Sequence, residues 1–170
     1  YPGASNPLKP SSIFPHLLSH QRHLNDLTLH FNFNPAGFFP DSHLFYRYPS
    51  SLQRLSLKGI NIKKPINISL AHLQNLRHLE LLFHFQIQIE PLISALQLLP
   101  QLSATLQGLS LQWPDRLTPE LTPAFPALKA LKNLTRLELL PQNRGTKSFS
   151  TILEGFSECP LKELVIKASI

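Results

Sequence analysis

The chain has 170 residues, 42% of them apolar, which is enough to bury a core and too much for a disordered tail. Sixteen Lys and Arg against ten Asp and Glu give +6, a balance that favours nucleic acid or an anionic membrane surface only if the positive side chains cluster. No apolar run approaches the roughly 18 residues that cross a bilayer, so no membrane-spanning helix is expected. A single cysteine, Cys159, excludes an intramolecular disulfide framework and favours a reducing, intracellular compartment. One residue type dominates: there are 35 leucines, against 16 prolines, six glycines and no methionine. The first residue is Tyr1 rather than Met, so the N-terminus is silent on targeting and a piece of a longer protein is expected.

In chain order, the first predicted element is a helix over residues 11–20, with Ser11 or Ser12 as N-cap and Ile13, Leu17 and Leu18 turned inward. It leads into Leu24, Leu27 and Leu29, the first instance of an L-x-x-L-x-L unit whose second half alternates as a half-buried strand does. Residues 33–51, broken by Pro35, Pro40 and Pro49, form an irregular return before the unit recurs at Leu52, Leu55 and Leu57. A second proline-containing return over 61–68 precedes Leu76, Leu79 and Leu81. Residues 90–99 read as a helix, with Pro91 in the first turn and Leu92, Ile93, Leu96 and Leu99 on one stripe. The unit returns at Leu106, Leu109 and Leu111, then at Leu134, Leu137 and Leu139, and as a variant at Leu161, Leu164 and Ile166. Short helices over 124–131 and 148–156 separate the last three.

The first leucines of successive units lie 28, 24, 30, 28 and 27 residues apart. That spacing falls in or beside the window of about 20–29 residues typical of leucine-rich repeats. On this spacing and this unit, the chain resembles a leucine-rich repeat protein over residues 12–170. The family places Asn or Cys three residues after the third leucine. Only Asn32 stands there; the other units have Ile60, His84, Pro114, Gln142 and Ser169, so irregular turns are expected. The long repeats resemble the ribonuclease-inhibitor-like and F-box-associated classes, the latter also through Cys159-Pro160-Leu161.

The resemblance implies an α/β fold: a curved, right-handed solenoid of about six repeats, with a parallel sheet on the concave face and short helices and irregular loops on the convex one. Strands that all run the same way pair in parallel through crossovers, and each unit buries its leucines against its neighbours. Six such strands span roughly 24 Å. Residues 1–170 show no second domain and no linker, so one domain is expected, part of a longer array, with its last strand close to Ile170 and no polar cap after it.

Such families bind through the sheet, and the alternation predicts its outward positions. The third motif position carries Asp26, Arg54, His78, Gly108, Arg136 and Glu163, and the fifth Thr28, Ser56, Glu80, Ser110, Glu138 and Val165. Just past the motif stand His30, Lys58, Leu82, Gln112, Leu140 and Lys167. Four positive side chains face four negative ones, a mosaic suited to a protein partner, alone or within a multi-subunit assembly, and unsuited to a phosphate backbone. An aromatic cluster, with Phe38, Phe39, Phe45, Tyr46 and Tyr48 among its members, either fills the core of the first return or anchors a partner.

Other classes of function have less behind them. His16, His20 and His23 are spaced for a shared metal but lack a placed fourth ligand, so neither metal nor cofactor is expected. Cys159 lies at least 75 positions from any histidine and is expected to be structural, and Glu80 with Glu138 lacks the enclosed pocket that acid–base catalysis needs. Phosphate-loop, dinucleotide and nucleophile-elbow motifs are missing, and no enzyme is expected. Two N-x-S/T triplets, at Asn67 and Asn133, read as chance. A basic nucleic-acid module using Lys63, Lys64, Lys129 and Lys132 is the main alternative to a protein-recognition module.

Overall fold

The computed structural model describes residues 21–31, 48–61, 69–140 and 149–167. Six strands lie in one parallel sheet in chain order: β1 (Asp26–His30), β2 (Arg54–Ile60), β3 (His78–Phe83), β4 (Gly108–Gln112), β5 (Arg136–Leu139) and β6 (Glu163–Ile166). The fold class is therefore α/β, as the alternation of strands with helical returns implies. The register pairs leucine with leucine: Leu27, Leu55, Leu79, Leu109, Leu137 and Leu164 form one row across the sheet. Leu29, Leu57, Leu81, Leu111, Leu139 and Ile166 form the next.

A backbone device sets this register. The carbonyl of the residue just before each strand accepts the amides of two residues in the following unit. Asn25 O takes Gln53 N and Arg54 N (2.7 and 2.9 Å), and Gln53 O takes Arg77 N and His78 N (2.9 and 3.0 Å). The series continues through Arg77 O, Gln107 O and Thr135 O, the last accepting from Lys162 N and Glu163 N. The first leucine of each inner unit closes the turn before this carbonyl, and Leu52, Leu76, Leu106 and Leu134 are fully buried.

One irregularity interrupts the pairing, between Lys58 and Ile60. Gly59 has φ +74° there, and a Cβ on it would collide with the Phe31 carbonyl oxygen, so only glycine fits this bulge.

The returns pack behind the sheet. Helix α1 (Ile89–Gln97) buries Pro91, Leu92, Ala95 and Leu96, and a 3₁₀ turn over Leu99–Leu102 follows it at Pro100. The helix predicted over 90–99 thus ends two residues early, because Pro100 disfavours continued α conformation. Helix α2 (Phe125–Lys129) and helix α3 (Phe149–Glu154) are shorter than the spans 124–131 and 148–156. A ten-residue 3₁₀ run over Asp115–Ala124, which the sequence pattern does not announce, carries Pro119 and Pro123. Its entry is held by Trp113 Nε1 donating to Thr118 Oγ1 at 2.8 Å, both residues buried. The predicted helix over 11–20 lies outside the described residues, as does most of the returns over 33–51 and 61–68.

Strand leucines and return side chains form one continuous core. Burial is deepest in the inner strands and falls off at β6, where Leu164 is 46% exposed. Leu109→Ala, on β4, is expected to lower stability by about 2–5 kcal/mol. Leu164→Ala is expected to cost less than about 1 kcal/mol. Urea unfolding of both variants, read at constant slope, checks the contrast.

Candidate recognition face

The face of the sheet opposite the core displays the outward positions in three rows, aligned by the register. The upper row runs Asp26, Arg54, His78, Gly108, Arg136, Glu163, and the middle row Thr28, Ser56, Glu80, Ser110, Glu138, Val165. In the lower row His30, Lys58, Leu82 and Gln112 are in register, and Leu140 and Lys167 follow β5 and β6. Every predicted site residue of the three rows is on this face. Leu82, Gln112 and Leu140 are half-buried rather than open.

The charges do not stand separately. Arg54 approaches Asp26 at 3.9 Å, Lys58 approaches Glu80 at 3.6 Å, Arg136 meets Glu163 at 2.7 Å, and Lys167 meets Glu138 at 2.5 Å. Each pair joins neighbouring strands, and together they use all eight charged residues of the three rows. Hydroxyls complete the middle row: Ser56 donates to Glu80, and Ser110 donates to Glu138 at 3.2 Å. Both glutamates are thereby held by one serine and one lysine. The Arg54–Asp26 and Arg136–Glu163 pairs are about half exposed or more and contribute at most about 1 kcal/mol each.

A concavity of about 430 Å³ opens in the middle of the face, walled by the upper and middle rows from β1 to β5. Its floor is shaped by Gly108. The sequence places Gly108 among the outward positions, yet the residue is buried, because the His78 ring lies where a Cβ on Gly108 would stand. The ring loses part of its hydration there, which lowers the imidazole pKa. Arg54, Arg136 and Arg77 lower it further, and only Asp26 opposes them. His78 is thus disfavoured from carrying charge although its outer edge is exposed.

Of the other residues singled out from the sequence, Tyr48, Lys132 and Cys159 lie off this face. Tyr48 is buried at 3% exposure and its hydroxyl pKa is raised by that burial, so it fills the core rather than an exposed patch. Phe38, Phe39, Phe45 and Tyr46 lie outside the described residues, as do His16, His20, Lys63 and Lys64. Among the described residues no three His, Cys, Asp or Glu side chains gather as a metal cluster would. Lys132 is paired with Glu158 at 2.6 Å, off the sheet. Cys159 is half-buried, its thiol donates to the Leu128 carbonyl at 3.4 Å, and burial pushes its pKa up, the opposite of an activated nucleophile. No helix among the described residues is long and apolar enough to cross a membrane.

One set of structural residues escapes a reading by motif. Just ahead of the motif's first leucine, Ser51 donates to Leu24 O (2.8 Å), Asn75 to Ser50 O (2.9 Å) and Asn133 to Ser103 O (3.0 Å). These side chains tie each return to the one before. Their shared position in the repeat is the signal that could have found them, and Asn133, which reads in the sequence as part of a chance triplet, is one of them. No family model matches the chain, and no curated protein or solved structure does.

The Glu138 carboxyl is held below the usual carboxylate range, first by the hydrogen bond from Lys167, with burial opposing and Ser110 assisting. A carboxyl with a lowered folded-state pKa adds stability above its unfolded value, and that contribution fades as pH falls through the folded one. Lys167→Ala should therefore cost at most about 1 kcal/mol near neutral pH. The cost should shrink as acid protonates Glu138 in both proteins. Urea unfolding at neutral and acidic pH checks this, and an equal loss at both would assign Lys167 a packing role instead.

Proposed function

We propose that the chain is a curved, right-handed leucine-rich-repeat solenoid of about six repeats that recognises a protein partner through the open, concave face of its sheet. One observation carries this reading: three register-aligned rows of mostly polar and charged side chains cover the face of the sheet turned away from the core. Charges of both signs are interspersed over it, and its half-buried Leu82 and Leu140 supply apolar contact beside them. Protein interfaces combine these elements, with charge complementarity setting specificity and association rate. A duplex or single strand of nucleic acid presents one sign of charge throughout and would meet Asp26, Glu80, Glu138 and Glu163 unfavourably. The partner is a protein, alone or as part of a multi-subunit assembly, and no catalytic step is assigned to the chain.

Photo-crosslinking tests the reading. A benzophenone side chain at Ser56 or Ser110 should capture a protein that the same group at Gln97 or Glu154, on the helical side, does not. Charge reversal with Arg54→Glu and Arg136→Glu should abolish the capture. Equal capture from the helical positions would overturn face recognition. A shift of oligonucleotides at low salt that survives the reversal would move the function to the basic returns.

A further inference from the structure

Within the upper row the charges are arranged unevenly. Asp26 and Glu163 stand at its two ends, each beside an arginine, and the two positions between Arg54 and Arg136 are His78 and Gly108. No carboxylate of this row lies between the guanidinium groups. Below them, Glu80 is engaged by Ser56 and Lys58, from the middle and lower rows. Arg54 and Arg136 both wall the concavity, and they stand three strands apart, roughly 14 Å between backbones at ordinary strand spacing. The Arg54 pair with Asp26 is long at 3.9 Å, and Arg136 meets Glu163 through a single Nη1, so guanidinium donors remain on both for a further acceptor.

We propose that the notch formed by Arg54, His78, Gly108 and Arg136 is a carboxylate-reading subsite, which seats an Asp or Glu side chain from an acidic segment of a protein partner. This rests on the face being the recognition surface, and it names the chemistry of what that surface reads. Gly108 matters because its missing side chain lets the His78 ring sink towards the sheet and leaves depth between the arginines. The same positive field that disfavours a proton on His78 favours an anion beside it. Planar guanidinium groups meet carboxylates with paired hydrogen bonds, and a partly enclosed wall strengthens them relative to open water. A carboxylate fits better than a phosphate strand for a geometric reason. A nucleic-acid strand carries a charge about every 3.4 Å and would run on into Glu80 or the terminal Asp26 and Glu163, whereas a peptide spaces its acidic side chains apart.

The test uses the full chain, isotope-labelled for NMR, and three probes: a capped peptide of alternating Glu and Gly, the same peptide with Gln for Glu, and oligothymidylate. The Glu peptide should shift the Ser56, His78, Gly108 and Ser110 amides and raise the His78 pKa. Arg54→Gln with Arg136→Gln should weaken its binding at least tenfold. The Arg54 and Arg136 side chains are 68% and 45% exposed and lie off the core, so the double variant should keep the amide spectrum of the folded protein. Lys129→Gln with Lys132→Gln should leave the affinity unchanged. Undiminished binding by the double arginine variant, or an equal effect of the lysine variant, would overturn the subsite. Equal shifts with the Gln peptide would overturn the subsite while leaving peptide recognition by the face intact. Tighter binding of oligothymidylate to the same amides would overturn both the subsite and the protein-recognition reading.

Discussion

The structure depends on one repeated interaction: the carbonyl at the foot of each strand, from Asn25 to Thr135, accepting two amides of the next unit. Two donors on one oxygen fix the start of the next strand to a single residue. The units vary in length between 24 and 30 residues, yet the register across all six strands does not slip at their starts. A slip of one residue would turn every leucine of a strand to solvent. The backbone thus absorbs irregular returns, and irregular returns are what the prolines in this chain impose.

Because the register holds, burial and display are separated. Leucines in register form the core rows, and their neighbours form the face rows, so a substitution on one side has no direct route to the other. Each strand is covered chiefly by the units beside it, which explains why Leu109 and Leu137 are sealed while Leu164 and Ile166 remain 46% and 44% exposed. The asparagine and serine links ahead of the first leucines add a second seam on the side of the returns.

Much of this was legible in the sequence because it depends on spacing alone. The six strands and the three outward rows follow from a periodic pattern that needs no knowledge of neighbours, and their parallel order from the repeat resemblance that the pattern carries. What was not legible depends on pairs. Gly108 looks outward by position and is buried because a residue 30 positions earlier leans over it. The eight charges count as a neutral mosaic in one dimension, but only the register shows each of them joined to the adjacent strand. The 3₁₀ run over Asp115–Ala124 is hidden for another reason. Pro119 and Pro123 argue against an α-helix there, and tighter i to i+3 bonding, which a proline-rich segment tolerates, is not announced by any simple pattern.

The ion pairs also bear on how the face would bind. A partner carboxylate entering between Arg54 and Arg136 competes with Asp26 and Glu163 for the same guanidinium groups. Those two interactions are weak because they are exposed, and displacing them costs little. The serine and lysine contacts hold Glu80 and Glu138 in place, so the middle row keeps its negative charge close to the arginines. The upper row therefore accepts an anion that comes singly, and the middle row turns away one that comes in a continuous run. Specificity of this kind comes from what is repelled as much as from what is held.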